Sequence, residues 1–542
     1  MADPATGDLV LTGGPVFGVD GADTVLLRGD RVHAVGRAED IRAATAQNAE
    51  VVDTRGKLVM PGFQDGHVHP LAAGLIASGC DLRDATGADD VLARVAAHAR
   101  RHPEQQWIVG GGLTSAFFPR GTPAADLLEA AVPGRPVYLM GGDLHDVWVN
   151  GTALRLAGVD RSTPDPPFGT VGRDRDGRPD GVLHEAAVDL VGRHIPMPSP
   201  RALRDALLAA ERTLFEHGVT AWQDALVGGY LGMPDPLPSY LGLRAEGALA
   251  GTVSLALWWN PDEGTEQLAE LCDRRDQATA AGLRANHVKI MQDGICENGW
   301  AALSAPYTGR SGAAPGRISP ARLREAVVAL DRSGFSVHFH AVGDRAVREC
   351  LDAVEATPRS LDRRHHLAHV QLVDDADLPR FAALDVTATV QPLWAAETPS
   401  MREIYEPLLG ADRVERQYLF AGLARAGARL AAGSDWPVSS PNPLWGAYVA
   451  ATRLPALASA PWLGPDYHPA PFLPDQRLGV AEVLRAYTAG TGRLHGHPGT
   501  LTPGAPADAV VLDTDVLRAG PEALPEARVD LTIAKGRPVH SR

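Results

Sequence analysis

The chain has 542 residues, 45% of them hydrophobic and 22% charged, and a formal net charge of −15. These proportions exclude a wholly disordered or collagen-like chain and leave enough length for a large core. So acidic a surface repels phosphate backbones, which argues against general nucleic-acid binding.

The first residues, MADPATGDLVLTGG, show no basic stretch followed by an apolar one, so no signal peptide is expected. Short apolar or β-branched runs separated by Gly/Asp turns predict strands over 9–12, 24–28, 31–35 and 51–53. Runs of the same style at 508–513 and 529–534 predict that both ends of the chain build one small β-sandwich, from 1–57 and 490–542. Between them, strands alternate with helical stretches, the pattern of a parallel α/β fold. Eight strands are predicted, over 58–63, 219–223, 252–258, 286–291, 336–340, 365–370, 386–391 and 429–434, with a clear crossover helix over 202–217. Eight such units make a (β/α)8, TIM-like barrel over 58–489. An insertion after the first strand, about 71–200, contains the strand-like QWIVGGG and PVYLMGGD and the Pro/Asp/Gly-rich stretch 162–181; it is read as a subdomain with loops over one barrel end. Four scattered cysteines (Cys80, Cys272, Cys296, Cys350) form no CxxC pair, and no apolar run reaches membrane-spanning length. A reducing, cytoplasmic setting without membrane association is expected.

Chemistry-bearing residues fall near the predicted strand ends, where barrel enzymes build their sites. His67 and His69 follow the first strand; in extended chain, i and i+2 share a face and two imidazoles can bind one metal, although a lone HxH in a polar loop is equally ordinary. Lys289 sits between Val288 and Ile290 in a chain where only three of 51 basic residues are lysines. A buried ammonium must be paired or neutralised. Reaction with CO₂ to a carbamate is one solution, open to Lys and closed to Arg; a strand-end Lys paired with Asp293 is the plain alternative. His338 and His340 share a face of another strand. His365, His366 and His369 cluster in HHLAH, and Asp435 ends an apolar strand.

The segments PGFQDGHVHP, GDLHDVWVNGTAL, VKIMQDG, HFHAVGDRAV, HHLAHVQ, AAGSDWPV and GTLTPGAPADAVVLD, in this order, resemble the amidohydrolase superfamily in its amidohydrolase 3 branch. VKIMQDG…EN, QPLWAA and LAAGSDWPVSSP look most like N-substituted formamide deformylases. The resemblance implies that His67 and His69 bind a first metal and that His340 and His369 bind a second. A carbamate on Lys289 bridges them, and Asp435 contacts the first metal and shuttles a proton. It implies two Zn²⁺ per chain, with other divalent metals open, a bridging hydroxide, a small-molecule amide as substrate and a homodimer. His145 is assigned to substrate contact or oxyanion stabilisation, and Trp394 and Trp436 to the pocket wall. His365 and His366 are expected in supporting roles and Cys296 in a structural one. Asp65 is expected behind the ligands, and Asp344 and Arg345 as an ion pair.

Three alternatives stay open at this stage. A cyclic amide, lactone or ester hydrolase would use the same machinery. A deaminase of the superfamily typically carries a Glu three residues after the fifth-strand histidine, where this chain has Gly343. A metal-free, non-enzymatic binding scaffold is the third, and the complete ligand set argues against it.

Overall fold

Apolar strands alternating with amphipathic crossovers through the middle of the chain close on one another as a barrel. The computed structural model describes residues 7–114, 117–118, 123–358, 363–464 and 466–542. Eight strands, Phe63–Val68 (β1), Val219–Val227 (β2), Thr252–Trp258 (β3), Arg284–Met291 (β4), Ser336–Ala341 (β5), His366–His369 (β6), Thr387–Val390 (β7) and Arg429–Ala432 (β8), pair in parallel and in sequence order. The two ends of this sheet, β1 and β8, meet without a regular ladder. Instead the Asp65 carboxylate accepts the Ser434 N–H at 3.0 and 3.1 Å, and the Asp435 N–H donates to the His67 carbonyl at 2.7 Å.

Helix α1 (Pro70–Ser78) starts directly after His69, with Pro70 in its first turn, where a missing N–H costs nothing. Helix α2 (Pro200–Glu216) is capped by the Ser199 hydroxyl, which accepts the Ala202 N–H at 3.2 Å. Its apolar stripe, Ala206, Leu207, Ala210, Leu214 and Phe215, is buried in the main core.

The termini build two four-stranded sheets. Asp8–Thr12, Thr24–Arg28, Arg31–Gly36 and Glu50–Asp53 form one; Leu58–Pro61, Ala509–Leu512, Val529–Ala534 and Arg537–Ser541 form the other. Leu11, Val25, Val59, Val511 and Ile533 pack between them as one core. The strand expected over 58–63 is two strands. Leu58–Pro61 pairs antiparallel with Ala509–Leu512, and the barrel strand begins only at Phe63. The break falls at Gly62, where a Cβ would lie 2.2 Å from the Thr220 hydroxyl oxygen, so the chain turns from one sheet to the other at the residue without a side chain. His67 therefore lies on the first barrel strand and not after it.

The insertion between β1 and β2 carries a six-stranded sheet. The Pro/Asp/Gly-rich stretch 162–181 contributes Gly169–Arg173 and the start of Pro179–Glu185, which pair as an antiparallel hairpin. The expectation of no signal peptide draws in part on residues 1–6, which lie outside the described residues. No helix among the described residues is long and apolar enough to cross a membrane.

Helices α1 and α2 approach each other closely at Gly74, where a Cβ would lie 2.1 Å from the Ala206 carbonyl oxygen and 2.5 Å from its carbon. Gly→Ala inside a helix ordinarily gains roughly 0.5–1 kcal/mol. Here the backbone of α2 must move, at an overpacking cost of about 1–3 kcal/mol. Gly74→Ala is therefore expected to lower stability, and urea unfolding that showed a gain would mean that α1 and α2 are not in this contact.

Candidate metal centre

The seam between β1 and β8 generates the site. The hydrogen bond from Asp435 N to His67 O holds the end of β8 against β1, and the Asp435 side chain then lies with Oδ1 3.3 Å from His67 Nε2 and 3.1 Å from His69 Nε2. His369 Nδ1 lies 4.0 Å from Asp435 Oδ2. Among the described residues, His67, His369 and Asp435 each offer a ligand atom within 4.8 Å of the others. Asp435 and His369 both adopt positive φ, 57° and 76°, conformations that cost a non-glycine residue energy and recur at functional sites.

The electrostatics favour lone pairs over protons. Burial, with Lys289 nearby, pushes His67 down to about 3, and burial holds His340 and His369 well below the usual imidazole range. Burial opposes the Asp435 carboxylate, but His67 and His69 outweigh it and keep this group ionised. Neither ring nitrogen of His369 has a hydrogen-bond partner, nor has Asp435 Oδ1. Neutral imidazoles and a carboxylate turned toward one another, with no donor between them, match the donor set of a divalent cation.

Other groups orient these ligands. His338 Nε2 lies 2.9 Å from His67 Nδ1, which leaves His67 Nε2 to face Asp435. His340 Nδ1 lies 3.2 Å from Asp293 Oδ1. Asp293 also accepts the backbone N–H groups of Ala302, Val342 and Gly343 at 3.0, 3.0 and 2.8 Å. Such contacts fix ring orientation and leave the other nitrogen for a metal. Asp65 accepts the His67 N–H at 3.0 Å as well as that of Ser434. Lys289, 1% exposed, lines the same cavity as His67, His69, His340, His369 and Asp435. Burial pulls its ammonium down to about 7, against the attraction of Asp435. Asp293 is engaged with the backbone and His340, so it is not the partner of Lys289.

The insertion brings His145 to the same place. Its Nδ1 lies 2.9 Å from the buried Glu185 carboxylate, which also accepts from Asn298 Nδ2 at 3.1 Å. The Glu185 N–H donates to the His145 carbonyl at 2.8 Å. Burial pushes the His145 imidazolium down, but Glu185, Asp143 and Asp146 outweigh it and raise it to about 9. Two cavities meet here. One of about 760 Å³ is walled by Leu71, Met140, Leu144, Leu226, Met233 and Pro236. The other, of about 1410 Å³, is lined by Glu297, Gln371, Trp394, Thr398, Tyr405 and Ser439 among others; His145, His340, His369 and Asp435 line both.

Trp394 stacks on His369, with ring centroids 5.5 Å apart and planes 2° from parallel. Trp436 lines neither cavity. Its side chain is in the main core, and its carbonyl accepts the His69 N–H at 2.8 Å. His366 contacts the Thr389 hydroxyl at 2.9 Å, and His365 accepts the Val337 N–H at 3.1 Å. Asp344 does not pair with Arg345. Asp344 accepts the Ser304 N–H at 2.9 Å, while Arg345 reaches Glu349, one helical turn on, at 3.2 Å. Cys296 is fully buried, and burial pushes its thiol well above the usual range. Glu185 stands in no motif of the sequence, whereas Asp143 lies inside GDLHDVWVNGTAL, two residues before His145. Asp293 stands inside VKIMQDG, and that position was the available signal.

The fold and the whole chain have relatives. An Arabidopsis thaliana protein, LONG AFTER FAR-RED 3, is 30% identical over 528 residues, 94% of this chain and 87% of its own length. The N-substituted formamide deformylase of Arthrobacter pascens is 27% identical over 552 residues, covering 98% of this chain and 97% of its own length. Among solved structures, an uncharacterized metal-dependent hydrolase from Pyrococcus horikoshii OT3 superposes with a TM-score of 0.71 at 22% identity, covering 98% of this chain and 100% of its own. The family model described as "Amidohydrolase family", that of the amidohydrolase 3 branch, matches residues 50–540, a span that holds every ligand candidate above and both halves of the barrel seam. By that match the chain belongs to the amidohydrolase family.

Proposed function

We propose that the protein is a metal-dependent hydrolase that cleaves the C–N bond of a small-molecule amide, with N-substituted formamides as the substrate class. The observation that carries this reading is the convergence of His67, His69, His369 and the ionised Asp435 on one point of a cavity that Lys289 and His340 also line. His67, His69 and Asp435 would hold one Zn²⁺, His340 and His369 a second, and Lys289, as its carbamate, would stand between them. A Lys pulled down to about 7 supports that modification, because only the neutral amine adds to CO₂. Bound divalent ions polarise a carbonyl and make water acidic enough to attack at neutral pH.

The chain's own residues divide the remaining work. Asp435 takes the proton of the attacking water and returns it to the leaving nitrogen, acid–base cycling by one carboxylate. His145 keeps Nδ1–H on Glu185. When protonated, it also presents Nε2–H to the carbonyl oxygen, where negative charge develops. The wall of Leu71, Met140, Leu144 and Met233 offers an apolar N-substituent a dry surface. The likeness to the Arthrobacter deformylase supports the formamide class.

Three outcomes test this reading. Protein purified without chelator is expected to carry about two zinc ions per chain and Lys289→Ala far fewer; equal content in both by metal analysis would remove Lys289 from the centre. Asp435→Asn is expected to retain metal and lose at least ~10² in kcat on a formamide substrate, and near-normal turnover would end the role of Asp435. The kcat/KM profile should fall above about pH 9 as His145 loses its proton. Glu185→Gln should move that limb to lower pH, because burial then acts without the opposing carboxylate; a limb that stays put takes His145 away from the carbonyl oxygen.

A further inference from the structure

The apolar cavity at the metal centre continues into a second one. This neighbour, of about 620 Å³, shares Ala72, Met140, Leu144, Met233 and Pro234 with it. Leu75, Ile76, Val109, Ile195 and Met197 line the second cavity alone. No charged side chain among the described residues lines it. Its one polar side chain, Tyr138, donates its hydroxyl hydrogen to the Leu231 carbonyl at 3.5 Å. Val109 is 36% exposed and Met197 67%, so the far end opens to solvent.

Helix α1 passes the two cavities in order. Leu71 lines the first, Ala72 both, and Leu75 and Ile76 the second. These positions, i, i+1, i+4 and i+5, share one face of the helix. From His69 to Ile76 the chain rises about 10 Å at roughly 1.5 Å per residue. An extended chain of about eight carbons spans roughly 9 Å at C–C bonds of about 1.5 Å. Water finds few partners in so apolar a space, whereas an alkyl chain there leaves contact with water. Four of the chain's seven methionines, Met140, Met197, Met233 and Met291, line this path, and their unbranched thioethers fit guests of differing shape. Leu144, in the shared wall and directly before His145, adopts φ 63°, a conformation that costs a leucine energy and recurs at ligand contacts.

We propose that the two cavities form one channel for a linear alkyl tail of about eight carbons, carried on the amide nitrogen of the substrate. The substrate class is then a long-chain N-alkylformamide. The formamide head rests on the amide-hydrolase reading; the tail site rests on the cavities alone. Tail burial stabilises ground state and transition state alike, so it lowers KM and leaves kcat nearly unchanged.

Kinetics of the metal-loaded, full-length protein on N-butylformamide and N-octylformamide test it. The longer tail is expected to raise kcat/KM about 10²-fold, mostly through KM. Val109→Trp and Ile195→Trp fill the second cavity from different segments of the insertion. Each is expected to cut the octyl-to-butyl preference at least about tenfold. If no formamide is cleaved, titration calorimetry with 1-octanol and 1-butanol, which carry the tail without the amide, decides. Octanol binding at least about tenfold tighter, with that margin lost in the two variants, ends the formamide head and keeps the channel. Equal binding of the two alcohols ends both. Formamides cleaved with no gain from butyl to octyl overturn the channel and leave the hydrolase reading standing. So does a chain-length preference that both variants share with the wild type.

Discussion

The hydrogen bonds that close the barrel between its first and last strands are the constraint on which the site depends. A regular parallel ladder would align β8 with β1 but would not aim a carboxylate at two imidazoles. Here the Asp65 side chain takes up the Ser434 and His67 N–H groups, and the Asp435 N–H goes to the His67 carbonyl. These contacts free the Asp435 side chain to point inward. Gly433 is part of the same arrangement, since a Cβ there would lie 2.8 Å from the His67 nitrogen. The positive φ at Asp435 is a strain of about 1–3 kcal/mol that this bonding over-determines.

Once the seam is set, the barrel interior is filled with imidazoles where such barrels ordinarily stack branched aliphatic side chains. The His67 and His338 rings lie 4.7 Å apart, His338 and His366 4.1 Å, and His366 and His287 5.3 Å. Burial keeps these rings neutral, so they pack as flat, weakly polar bodies and still offer nitrogens to neighbours. The apolar residues that drive folding lie outside this column, where Val288, Ile290, Val337, Phe339 and Leu367 meet the surrounding core. A buried nitrogen without a partner costs about 1–3 kcal/mol. The large apolar shell sustains that cost, and in return His338 and Asp293 hold His67 and His340 in place.

The insertion contributes what a bare barrel lacks. The antiparallel part of its mixed sheet brings Glu185 and His145 together on adjoining segments, so one backbone hydrogen bond and one carboxylate contact deliver a cationic imidazole to the rim of the metal centre. It also splits the approach into an apolar side and a more polar side that share His145, His340, His369 and Asp435.

Much of this was legible in the sequence because it is local. The i, i+2 spacing of His67/His69 and His338/His340, apolar runs bounded by glycine, and a Ser-Pro helix start all depend on near neighbours in the chain. The tandem motifs therefore identify the barrel, its ligand candidates and the pairing of the two termini. What only the tertiary structure decided depends on partners far away in sequence. The run 58–63 reads as one strand until Ala509–Leu512 claims its first half and Thr220 leaves no room beside Gly62. Trp436 reads as a pocket residue until its side chain joins the core and only its carbonyl serves the site. Glu185 carries no motif, and its meaning comes from His145, forty residues earlier. Local spacing decides which way a side chain points along its own strand. Which distant group it meets is set by the packing of the whole chain, and no short stretch encodes that.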